Sequence, residues 1–112
     1  MLLQRQKEIL VEFAHEVQHL FGASLRKVIL YGSYARGDNR DNSDIDIMIL
    51  TSLTDAQISQ IENDVYDLAF EFQMKYDVDI SVIVKNENHF NYWLGALPFY
   101  DNVQREGVAL VG

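Results

Sequence analysis

Apolar residues recur along the first part of the chain with the period of a helix: Ile9, Phe13, Val17 and Leu20, flanked by Leu10, Ala14 and Phe21, fall three or four positions apart. The spacing predicts an amphipathic helix over residues 3–21, stopped by Gly22. From 25 to 31 that period disappears. Val28-Ile29-Leu30-Tyr31 is a continuous apolar run, as expected for a strand covered on both faces. A second strand opens at Asp44, where Ile45, Ile47 and Ile49 alternate with Asp44, Asp46 and Met48, giving one apolar face and one functional face. Thr54-Asp55-Ala56-Gln57 has the form of a capping box, and Ile58, Ile61, Val65, Leu68 and Phe72 follow at helical spacing, so a helix is predicted over 55–75. Residues 78–84 read as a third strand, with Asp77, Asp79 and Ser81 on one face. Beyond Lys85 the pattern weakens. Residues 86–97, which carry Phe90, Tyr92, Trp93 and Leu94, are irregular or a short helix; Pro98 suits the first turn of another helix, and Gly107 its C-terminal cap.

Strand, helix and strand in succession predict a right-handed crossover with the second and third strands parallel. If the first and second strands are antiparallel, Gly32-Ser33, Asp44, Asp46 and Asp79 converge on one edge of the sheet. The expected class is α/β (α+β), a small mixed sheet flanked by helices. A length of 112 residues without repeat, low-complexity tract or linker suits a single domain spanning 1–112. The net charge of −8 argues against passive binding to nucleic acid, which needs a basic face. No apolar run approaches the ~20 residues of a membrane span and no secretory h-region opens the chain, so no membrane contact and a cytoplasmic location are expected. The absence of cysteine removes disulfides, thiolate metal sites and cysteine nucleophiles.

The chemistry-bearing residues cluster between 32 and 46. On a strand, Asp44 and Asp46 point to the same side with Cα atoms about 6.5–7 Å apart, which lets them share one or two divalent cations. Carboxylates on the inward face of an apolar strand cost several kcal/mol each unless a cation or donor compensates. Oxygen-only ligands favour Mg²⁺ or Mn²⁺ over zinc. Asp79 is the expected third carboxylate because it lies inside its apolar run, with Asp77 as the rival at the start of that run. Gly32-Ser33 leaves the first strand where a bare backbone can approach phosphate oxygens. Arg36 is placed to pair with a phosphate in bidentate fashion; the plain alternative is a loop arginine beside Asp38 and Asp41. One competing motif is present. His15-Glu16-Val17-Gln18-His19 fits the zinc-protease pattern H-E-x-x-H, but Leu25 stands where its long form has a third histidine, and His89 lies on a distant segment. It reads as a solvated helix face.

Gly32-Ser33, then Asp44-Ile45-Asp46, then Asp79 on a hydrophobic strand resembles the minimal nucleotidyltransferases of the DNA polymerase β superfamily. The fuller run Gly32-Ser33-Tyr34-Ala35-Arg36-Gly37 with Ser43-Asp44-Ile45-Asp46 is similar to the small bacterial MntA-type antitoxins that pair with HEPN-domain toxins. The resemblance covers roughly residues 5–110. It implies a nucleotidyltransferase fold, ATP as donor with Mg²⁺ or Mn²⁺, and transfer of AMP to a hydroxyl, a tyrosine above all, of a HEPN partner with which the chain forms a hetero-oligomer. It implies catalytic and metal-holding roles for Asp44, Asp46 and Asp79, and nucleotide contacts from Gly32, Ser33, Arg36 and Ser43. The alternatives are the same chemistry on a small molecule such as an aminoglycoside, and neutralisation of a partner by binding alone.

Overall fold

A computed structural model describes residues 3–40 and 43–112. The chain runs α1 (Gln4–Phe21), a short 3₁₀ turn (Gly22–Ser24), β1 (Leu25–Tyr31), α2 (Ser33–Arg36), β2 (Ile45–Thr51), α3 (Asp55–Tyr76), β3 (Ile80–Asn86), α4 (Glu87–Trp93), α5 (Pro98–Glu106) and β4 (Val108–Val111). The four strands form one mixed sheet in the order β3-β2-β1-β4, with β2 and β3 parallel and the other pairs antiparallel.

The sheet is covered on both faces. On one side, Ile9, Phe13 and Val17 of α1 and Val65 and Phe72 of α3 close over Val28, Leu30, Ile47 and Val84. Phe13 and Phe72 meet edge to face with ring centroids 5.2 Å apart. Each fully buried apolar side chain of this size contributes about 1.5–3 kcal/mol, so the two helices are held mainly by this face. On the other side, Phe90 of α4 and Tyr100 and Val103 of α5 close over Ile29, Met48 and Leu50. Strand β2 opens at Ile45 rather than Asp44, so of the two carboxylates expected on its functional face only Asp46 lies within it. From Met48 onward that face is core.

Helix α3 starts as its sequence dictates: the Gln57 N–H donates to Thr54 Oγ1 (3.2 Å) and the Thr54 N–H donates to Gln57 Oε1 (3.0 Å). It ends on Asp77, whose left-handed backbone (φ 55°, ψ 44°) lets its N–H reach the Gln73 carbonyl at 2.9 Å. Aspartate tolerates that conformation better than a branched residue would. This cap delays the third strand to Ile80–Asn86 rather than 78–84, leaving Asp79 just before the strand instead of inside it. Its carbonyl nonetheless accepts the Ile45 N–H at 2.8 Å, so Asp79 is fixed against the start of β2. Pro98 opens α5 and Gly107 closes it, as expected. The pairing of β4 with β1 was not foreshadowed by the hydrophobic pattern. None of the helices among the described residues is long and apolar enough to cross a membrane.

Candidate active site

The antiparallel register sets Tyr31, the last residue of β1, opposite Asp46 of β2. The next residue, Gly32, has φ 76° and ψ −154°, a region essentially confined to glycine. Glycine is required here for a second reason. A Cβ built on Gly32 would overlap Asp46 Oδ2 and stand 3.2 Å from its Cγ, so the carboxylate rests directly on the bare backbone. Helix α2 follows, and the N–H groups of Gly37 and Asp38 close it by donating to the Ser33 carbonyl at 2.9 and 3.1 Å. Gly32, Ser33, Arg36 and Asp46 line one cavity of about 340 Å³, whose far wall is Phe99, Asn102 and Glu106 of α5.

Burial, then the nearby Asp44 charge, raises the Asp46 carboxyl above the ordinary carboxylate range, with Arg36 opposing the shift. Burial, then Asp46, pushes the Tyr31 phenol up. Arg36 is tethered at the mouth of the cavity: Nε donates to Asp38 Oδ2 at 3.1 Å and a terminal nitrogen to Glu106 Oε2 at 3.4 Å. Asp41, the other neighbour expected for it, lies outside the described residues.

Asp44 and Asp79 line a second cavity, of about 540 Å³, between α3 and the first residues of β3. Asp79 Oδ1 accepts a hydrogen bond from Gln73 Nε2 at 2.7 Å. Ser43 belongs to neither cavity centre. Its Oγ accepts the Arg40 N–H at 2.9 Å while its own N–H donates to the Arg40 carbonyl, a local turn that delivers Asp44 to the strand. It lines a smaller pocket with Arg5, Asp77 and Asp79. The two main cavities flank the N-terminal end of β2, so the structure groups Gly32, Ser33, Arg36 and Asp46 on one side and Asp44 with Asp79 on the other. Among the described residues, no three His, Cys, Asp or Glu side chains are grouped closely enough to hold one ion. The donor chemistry of Asp44 and Asp46 still suits a hard divalent cation, because two carboxylates near enough to perturb one another are relieved by a shared positive charge.

Three participants were absent from the sequence reading. Gln73, one helical turn before the end of α3, orients Asp79; Tyr31 faces Asp46; Glu106 anchors Arg36 from 70 residues away. The first two could have been read from their places next to a helix end and a strand end, whereas nothing local marks Glu106. His15 and His19 do share an exposed face of α1, with ring centroids 4.7 Å apart, as the H-E-x-x-H spacing requires. No third ligand joins them among the described residues.

Residues 15–93 match the family described as Polymerase beta, Nucleotidyltransferase. The chain belongs to this family. The matched stretch contains Gly32, Asp44, Asp46 and Asp79 and ends with α4, so α5, with Glu106, and β4 lie beyond it. This nucleotidyltransferase is 35% identical over 106 residues to the Methanocaldococcus jannaschii protein named "Putative protein adenylyltransferase MJ0604", covering 94% of this chain and 97% of that one. Its fold matches the crystal structure of a protein from Sulfolobus solfataricus assigned as a nucleotidyltransferase, with a TM-score of 0.64, 24% identity and coverage of 94% and 78% of the two chains. It also matches a chain of the tri-AMPylated Shewanella oneidensis HEPN toxin in complex with MNT antitoxin, with a TM-score of 0.52, 18% identity and coverage of 95% and 72%. The nucleotidyltransferase fold, a mixed sheet flanked by helices, is thus the one the residues implied.

Proposed function

We propose that this nucleotidyltransferase transfers AMP from ATP to a hydroxyl, a tyrosine above all, of a HEPN toxin, and so acts in the cytoplasm as the antitoxin of a hetero-oligomeric pair. The observation that carries the reading is the Asp46 carboxylate seated on Gly32 in a cavity shared with Ser33 and Arg36. A relative named as a protein adenylyltransferase over nearly its whole length supports a polypeptide acceptor.

In this reading the backbone at Gly32 and the Ser33 hydroxyl hold the β- and γ-phosphates, and Arg36 exchanges Asp38 or Glu106 for a phosphate. Asp44 and Asp46 would hold Mg²⁺ or Mn²⁺, which would supply charge neutralisation of the triphosphate. Ser43 keeps the turn that places Asp44. Asp79, oriented by Gln73, accepts the proton of the attacking hydroxyl. The hydroxyl oxygen forms a bond to the α-phosphorus, the bond from that phosphorus to the oxygen bridging to the β-phosphorus breaks, and pyrophosphate leaves.

The test is to incubate the chain with a HEPN-domain toxin, ATP and Mg²⁺, and to record intact masses. A mass increase in AMP units on the partner, lost with Asp46→Asn, is expected. Full neutralisation of the toxin with no change in its mass would replace this reading with inhibition by binding.

A further inference from the structure

Strand β3 is an edge strand, and one side of its backbone pairs with no described strand. Because the Asp79 carbonyl accepts the Ile45 N–H, residues 79, 81, 83 and 85 turn their backbone groups toward β2. Alternation along the strand then turns the N–H and C=O groups of Ile80, Val82 and Val84 outward, where no described strand pairs with them. β3 contains no proline, its register with β2 is continuous from Ile80 to Asn86 without a bulge, and its one charged residue, Lys85, stands near its C-terminal end, away from Asp79.

Beside this edge α3 exposes an apolar stripe at one-turn spacing: Tyr66 is 45% exposed, Phe70 60% and Met74 71%. Between stripe and edge runs the larger cavity, with Asp44 and Asp79 lining it and no lysine or arginine on its wall. We infer that the acceptor protein docks here as an extended, basic segment that adds to the outer edge of β3, rests apolar side chains on Tyr66 and Phe70, and brings its hydroxyl to Asp79. The inference rests on the proposed transfer to a protein and names where that protein binds.

The occupant follows from the surface. Unpaired strand groups select an extended backbone, alternate side chains of such a strand reach the stripe, and Asp79, on a wall without lysine or arginine, selects positive charge. A second copy of this chain fits poorly, since each copy carries a net charge of −8 and would set its own Asp44 and Asp79 against its neighbour's. The cavity continues from the docking edge to Asp79, so a strand laid there passes the group proposed to take the proton.

The experiment uses the HEPN protein as acceptor, with Phe70→Asp combined with Met74→Asp, and Tyr92→Asp on the opposite layer as a control. The double variant is expected to keep its melting temperature and its affinity for ATP, and to lose about tenfold or more in kcat/KM toward the HEPN protein, mostly through KM, as follows from the loss of an aromatic anchor. Tyr92→Asp is expected to transfer normally. Hydrogen exchange at Ile80, Val82 and Val84 is expected to slow in the complex. Unchanged transfer by the double variant, exchange at those three amides unaffected by the HEPN protein, or protection of them by self-association in its absence would overturn the inference while leaving the transfer reading intact. A wild-type chain that neither binds ATP nor labels the HEPN protein would overturn both.

Discussion

Gly32→Ala adds one methyl group where the backbone of the β1–α2 turn meets the Asp46 carboxylate. Two costs arise from different atoms. The backbone at φ 76°, ψ −154° costs a non-glycine residue about 1–3 kcal/mol, offset in part by the roughly 0.4–1 kcal/mol that alanine gains from a less flexible unfolded chain. The new Cβ also overlaps Asp46 Oδ2, so the carboxylate must swing away. A net loss of about 1–2 kcal/mol corresponds to a melting temperature roughly 4–8 °C lower, and a displacement of the acid by about 1 Å to a loss of nucleotide transfer of about a hundredfold. A double-mutant cycle separates the two terms. Asp46→Ala removes Cγ and both oxygens and leaves only Asp46 Cβ, at 3.4 Å from the new methyl, an ordinary contact. In that background Gly32→Ala should therefore cost only its backbone strain, with a coupling energy of about 0.5 kcal/mol or more. Thermal melts give the stabilities and incorporation of labelled AMP gives the activity. Wild-type melting and transfer in Gly32→Ala would refute both the strained turn and the packing of Asp46 against it.

Asp46→Asn should abolish transfer yet raise the melting temperature in EDTA, because a carboxyl whose native pKa is raised by burial and by Asp44 weakens the fold once it ionises; the gain should shrink as pH falls toward the range where Asp46 takes up its proton. Asp44→Asn should likewise abolish transfer with the fold intact by circular dichroism. His15→Ala with His19→Ala should leave Mg²⁺-dependent transfer unchanged, and metal analysis of the purified protein should find no stoichiometric zinc. Thr54→Ala should cost about 1 kcal/mol by denaturant titration, through loss of the α3 cap, without altering transfer per folded molecule.

What could be read from the residues follows the strength of the local signal. β1 coincides with its predicted range because a run buried on both faces leaves no ambiguity of period, and α3 begins where its capping box says. β4 escaped because four residues, two of them exposed, carry no period at all; its place is decided by pairing with β1. The third strand was read too early because Val78 is buried like a strand residue while the backbone is still leaving the α3 cap. The aromatic segment 90–99, where the sequence pattern weakens, divides. Phe90 is buried against Met48 and Leu50, whereas Tyr92 and Phe99 are exposed. At the site, Gly32-Ser33, Asp44, Asp46 and Asp79 were expected from topology to converge on one edge of the sheet, while the direct packing of Asp46 on Gly32 was not foreseen. Nor was the separation of Asp44 and Asp79 from the Asp46 cavity, because it depends on which way each side chain leaves the strand ends.

Helix α5 has a place in the molecule that its sequence position alone would not suggest. It lies beyond the stretch that matches the family, yet Phe99, Asn102 and Glu106 wall the cavity in which Asp46 and Ser33 meet. Tyr100 and Val103 fix the helix to the sheet from its opposite side. Gly32, Ser33 and Asp46 thus come from one segment and the facing wall of the cavity from another. Substitutions at 99, 102 and 106 can widen, narrow or recharge the opening while Gly32, Ser33 and Asp46 stay where the matched segment holds them, so the two walls of this cavity are free to change independently in this chain.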